Sequence, residues 1–139
     1  MRILFLGDVV GEPGRRLVET FLPELRRELQ VDFVVVNGEN AAHGHGITER
    51  IVRQWLDELG VDVITTGNHA FDVKDIATCF QKEPRLLRPA NYPPSTPGSG
   101  YVKLHTPSGQ EVLVINVMGR VHMPPCDDPF RCVDAILAK

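Results

Sequence analysis

Five polar residues capable of chemistry stand directly behind three short apolar runs. Arg2-Ile3-Leu4-Phe5-Leu6 leads to Gly7-Asp8, and Asp32-Phe33-Val34-Val35-Val36 leads to Asn37-Gly38-Glu39-Asn40. Asp62-Val63-Ile64-Thr65-Thr66 leads to Gly67-Asn68-His69. Asp8, Glu39, Asn40 and Asn68 offer hard oxygen ligands and His69 a nitrogen donor, a set suited to Mn, Fe, Mg or Zn rather than to copper or an iron–sulfur cluster. A carboxylate placed between two divalent cations can give one oxygen to each and hold them ~3.5–4 Å apart. Two such ions, set against Asp8, Glu39 and one hydroxide, leave a net positive charge that attracts a phosphate oxyanion. More acids in place of Asn40 and Asn68 would cancel it. His69, next to a ligand, is placed to protonate a leaving alkoxide.

Each of these residues also has an ordinary reading. Asp8 suits a loop, Glu39 a polar Asn-Gly turn, and Asn68-His69 the start of the next helix, where Asp72 is the better cap. What points to a site is the repetition of the pattern in three consecutive units. His43 and His45 flank Gly44 close behind Asn40 and are candidates for substrate contact, with an exposed loop as the alternative. His105 and His122 read as structural.

The elements that must position these groups follow from the same runs. Short β-branched stretches without alternation read as strands buried on both faces, as in a parallel sheet. Between them, Leu17, Phe21, Leu25 and Leu29 recur at helical spacing over 15–30, with Pro23 expected to kink or divide the helix. Ile51, Val52, Trp55, Leu56 and Leu59 form a second helical stripe behind a Thr48 N-cap, with Gly60 as its stop. A third helix is expected from Asp72 to Phe80. Strand–helix–strand units of this kind make an α/β fold, and ligands bind such sheets outside the carboxyl ends of the strands. Further along, 86–90 reads as another strand, 101–105 and 111–117 as a β-hairpin around Pro107-Ser108-Gly109-Gln110, and 130–137 as a last short helix.

Composition narrows the function classes. The 139 residues fit one domain; a formal charge of −3 and a pI near 5.9 argue against non-specific nucleic-acid binding. Cys79, Cys126 and Cys132 form no CxxC and no zinc spacing, so reduced thiols and a cytoplasmic location are expected. The first apolar run meets Gly7-Asp8 too early for a signal peptide, and no stretch nears the ~20 apolar residues of a membrane span. Gly7, Gly11 and Gly14 do not make a dinucleotide fingerprint, and neither a P-loop nor a G-x-S-x-G elbow is present.

Gly7-Asp8-Val9-Val10-Gly11, Asn37-Gly38-Glu39-Asn40-Ala41-Ala42, Gly46-Ile47-Thr48, Thr66-Gly67-Asn68-His69 and Asn116-Val117-Met118-Gly119-Arg120 closely resemble the YmdB-like calcineurin-type metallophosphoesterases. The resemblance implies an αββα sandwich, two divalent metal ions (iron or manganese first, magnesium or zinc next), and hydrolysis of phosphodiesters such as 2',3'-cyclic nucleotides. Carried over by position, Asp8 would bind the first metal, Glu39 would bridge both, Asn40 and Asn68 would bind the second, and His69 would donate the proton. Val10, Gly38-Glu39 and Ala70 depart from the broader superfamily motifs D-x-H, G-D-x-x-[DN] and G-N-H-[DE], and leave the first metal short of a protein ligand. The family's downstream D-F-H-A-E and G-T-H-T-H stretches are not among these residues, so the chain reads as the first half of a truncated or split member. Two functions are therefore expected in competition: a di-metal phosphodiesterase acting on a small nucleotide-like substrate, and an inactive module that binds phosphate or a partner chain. A half-covered sheet should also expose apolar surface, with homo-oligomerisation through the hairpin side as the expected remedy.

Overall fold

A computed structural model describes all residues, 1–139. Its main sheet is parallel, in the order β1 (Ile3–Leu6), β2 (Phe33–Asn37), β3 (Val63–Thr65) and β4 (Leu86–Leu87). Strand side chains alternate between faces, and both faces of β2 are covered. Val34 and Val36 join a core with Ile64, Leu86 and the helices. Phe33 and Val35 point the other way, toward Val63, Leu87 and Val112. The second cluster is closed by an antiparallel hairpin, β5 (Tyr101–His105) and β6 (Glu111–Ile115), through Val102, Leu104 and Val114. Helices on one face and a second sheet on the other give three layers of the αββα sandwich.

The helical layer holds α1 (Gly11–Glu28), α2 (Glu49–Arg53) and α3 (Ile76–Lys82), and α4 (Pro129–Leu137) follows the hairpin. Helix α1 starts earlier than its apolar stripe suggests and is continuous through Pro23. Pro23 is exposed, so the Glu19 carbonyl that it leaves without an N–H partner lies on the solvent side of the helix, where water can meet it. Thr48 caps α2, its hydroxyl accepting from the Ile51 N–H at 3.3 Å. The helix then widens into a π turn over Gln54–Glu58 that carries Trp55 and Leu56 into the core, and Gly60 ends it at φ +70°. Helix α3 begins at Ile76 rather than Asp72, because Asp75 adopts a left-handed conformation (φ 65°) and breaks the run before it. Strand β4 is shorter than expected: Arg88 turns its side chain inward and pairs its N–H with the Ser99 carbonyl at 3.1 Å.

Candidate metal centre

The loops that leave β1, β2 and β3 meet at one edge of the sheet. Backbone bonds hold them there: the Val9 N–H donates to the Asn37 carbonyl (3.2 Å), Gly11 to Asn40 (2.9 Å) and Gly38 to Thr65 (2.9 Å). From α1, Arg15 Nη1 donates to the Ala41 carbonyl at 2.5 Å and ties the helix to the loop behind β2. The third loop is braced from the hairpin layer, where buried Asn116 donates to the Thr66 carbonyl at 2.8 Å. Each strand end thus has at least one fixed neighbour, and the polar side chains project from a rigid frame.

Asp8 and Asn40 reach the same point, with Asn40 Nδ2 2.6 Å from Asp8 Oδ2. Glu39, half-buried, lies over Gly67; a Cβ on Gly67 would overlap both of its carboxylate oxygens. Glycine at that position is what lets the second loop reach across to the third. The Glu39 carboxylate therefore lies against the loop that carries Asn68, while its neighbour Asn40 meets Asp8. Beyond Gly67, Tyr92 donates to its carbonyl at 3.4 Å. Burial, aided by Cys126 and Glu39, pushes the Tyr92 phenol up and keeps it a donor.

On the far side of this loop, His69 Nδ1 lies 2.5 Å from Asp72 Oδ2. The sequence offers Asp72 as a helix cap; the structure gives it to His69 instead. With Nδ1 engaged by the carboxylate, Nε2 is the nitrogen free to face a substrate. His45 packs edge-on against His69, with ring centroids 4.8 Å apart, while His43 is exposed and takes a left-handed conformation at φ 55°. Of the two loop histidines, His45 is the one brought to the site. Gly46 (φ +68°) lets the loop close, since a Cβ there would stand 3.0 Å from the His69 carbonyl. His45, His69 and Asp72 bring one ligand atom each within 4.8 Å of one another, a spacing that also suits a cation. An imidazole bound to that cation could not also donate a proton.

The donor chemistry fits divalent metals. Asp8, Glu39, Asn40 and Asn68 offer oxygens suited to hard cations from three loops at one edge of the sheet, and no arginine or lysine forms an ion pair with either acid.

The family model for YmdB-like proteins matches residues 4–139. The chain belongs to the YmdB-like family. A Bacillus subtilis (strain 168) relative that carries the name 2',3'-cyclic-nucleotide 2'-phosphodiesterase is 49% identical over 141 residues, covering 100% of this chain and 52% of the relative. A crystal structure of a hypothetical protein from Thermus thermophilus superposes with a TM-score of 0.91 at 47% identity, over 100% of this chain and 53% of that one. A Mycoplasma pneumoniae structure described as a novel phosphatase gives 0.86 at 30% identity, over 98% and 50%. The chain thus spans about half the length of these relatives. The YmdB-like family is metallophosphoesterase in fold, and divalent metals belong to it.

Proposed function

We propose that this chain carries the strand-end half of a di-metal phosphodiesterase centre that acts on 2',3'-cyclic nucleotide-like substrates. The observation that supports this most is Glu39 lying over Gly67 of the Asn68 loop while the adjacent Asn40 meets Asp8. The name of the Bacillus subtilis relative supports the substrate class. Asp8 would hold one metal, Asn40 and Asn68 the other, and Glu39 both. Bound divalent cations, iron or manganese by preference, supply a hydroxide at neutral pH and neutralise charge on the phosphate.

The chain's own residues account for the rest. Attack on phosphorus breaks the bond to the 2'-oxygen and leaves the phosphate on the 3'-oxygen. The departing alkoxide needs a proton, which His69 gives from Nε2 while Asp72 holds Nδ1. His45, packed on His69, borders the space where the nucleotide enters. His43, exposed on the same loop, is the other candidate for substrate contact.

The test is turnover of 2',3'-cyclic AMP by the manganese-loaded chain, followed by chromatography of the products. Release of the 3'-monophosphate is expected. Bound manganese without any release would favour the competing reading, a binding module, which the half-length match to the relatives keeps in view.

A further inference from the structure

The loop behind β2 and the turn behind β3 bring together a second donor set, different in kind from the strand ends. His45, His69 and Asp72 each place one ligand atom within 4.8 Å of the other two. Two imidazoles and one carboxylate make a zinc set, of the kind in which water fills the fourth position. Asp8, Glu39, Asn40 and Asn68 offer oxygens, which suit harder ions such as manganese or magnesium. Donor type therefore sorts two kinds of cation between two neighbouring places.

The backbone prepares this second set. The Asp72 N–H donates to the His69 carbonyl at 3.3 Å, and the turn so made puts His69 Nδ1 2.5 Å from Asp72 Oδ2. Asp72 is not spent as a helix cap, because α3 starts only after the left-handed Asp75. His45 arrives from the other loop, its ring 4.8 Å from that of His69. It is exposed and stands between Gly44 and Gly46, both at positive φ. A Cβ on Gly44 would meet nothing within 4 Å, so that side of the loop is open. Zinc bonds of about 2.0–2.2 Å put two donors about 3.4 Å apart on a tetrahedral ion. His45 has to come in by roughly 1.5 Å to meet that geometry, and the open loop has room for it.

We propose that His45, His69 and Asp72 form a zinc site separate from the strand-end oxygens. An imidazole bound to zinc is not an imidazolium, so occupation takes His69 out of proton donation. That consequence rests on the function proposed above; the binding site itself does not.

The experiment titrates Zn²⁺ into the metal-free Glu39→Gln chain, in which the strand ends have lost their central charge, and follows the imidazole resonances by NMR. One zinc per chain is expected, moving the His45 and His69 rings and leaving those of His105 and His122 in place. Mg²⁺ in place of Zn²⁺ should move neither pair. In the same background His45→Ala and Asp72→Asn, both at exposed positions, should each weaken zinc binding about tenfold or more, since even partners outside the ligand shell are worth that much. His43→Ala should leave zinc affinity unchanged. The proposal is overturned by equal zinc binding in His45→Ala, by an equal loss in His43→Ala, or by the same shifts with Mg²⁺. Zinc binding by the parent chain that vanishes in Glu39→Gln would also overturn it, by giving the metal to the strand ends. Failure of the strand-end reading shows differently, as absent Mn²⁺ binding by the parent chain with the zinc result unchanged.

Discussion

At the residue scale, the sheet edge separates two kinds of side chain. Asp8 and Asn40 meet each other and Glu39 lies over Gly67, whereas His69 is held from behind by Asp72 at 2.5 Å. If His69 is the proton donor, its removal should matter most when the leaving alkoxide is most basic. His69→Ala is expected to slow hydrolysis of a cyclic nucleotide roughly 10²–10⁴-fold, to slow that of a nitrophenyl diester far less, and to leave metal content unchanged. Equal losses on both substrates would remove His69 from that role. The positions behind the strands are legible in the sequence because each closes a run of buried β-branched residues. The tie between His69 and Asp72 is not, since an acid ahead of a helical pattern looks the same as a cap. Arg88 is equally silent: an arginine before Pro89 reads as solvated, and only the loop folding over it through Thr96 and Gly98 shows otherwise.

At the scale of elements, the approach to β4 is held by charge. Arg85 donates to Glu83 through Nε at 2.9 Å and through its backbone N–H at 3.0 Å, and it reaches Asp57 on the π turn at 3.2 Å. Burial alone would raise the Glu83 pKa, but the hydrogen bonds from Arg85 outweigh it and pull it below the usual value. A lowered folded-state pKa adds stability above the unfolded carboxylate range, and that stability is lost as pH falls through the folded value. Glu83→Gln should therefore lower the melting temperature at neutral pH, with the gap to the parent chain closing below about pH 4. Thermal melts across that range check it, and a gap that stays constant with pH would contradict it. The helix ends show where sequence reading stops. Thr48 and Gly60 mark their helix by local chemistry alone, while the late start of α3 depends on Asp75 at φ 65°, which side-chain periodicity does not encode.

At the scale of the molecule, the parallel sheet is covered on both faces at β2 and β3 but not at β1, which is an edge strand. Ile3 and Phe5 are 51% and 60% exposed, and Leu17 and Phe21 of α1 are 60% and 48% exposed beside them. The sequence points to the hairpin as the sticky side; the structure exposes apolar residues at β1 and α1 as well as along the hairpin and the segment that follows it, where Val117, Val121 and Phe130 are exposed. No helix is long and apolar enough to cross a membrane. Apolar exposure next to an unpaired strand edge favours self-association. Sedimentation should show association that grows with concentration and falls in Phe5→Lys, and a monomer at high concentration would contradict it.

If the three strand ends build one metal centre with Glu39 in its middle, they should lose their metals together when Glu39 loses its charge. Calorimetric titration of Mn²⁺ into the parent chain and into Glu39→Gln tests this most directly. Glutamine keeps the size of the side chain and its place over Gly67, but removes the charge that two cations would share. Saturable binding is predicted for the parent chain, with loss at all sites together in the variant. Full manganese stoichiometry at unchanged affinity in Glu39→Gln would contradict a shared, Glu39-centred site.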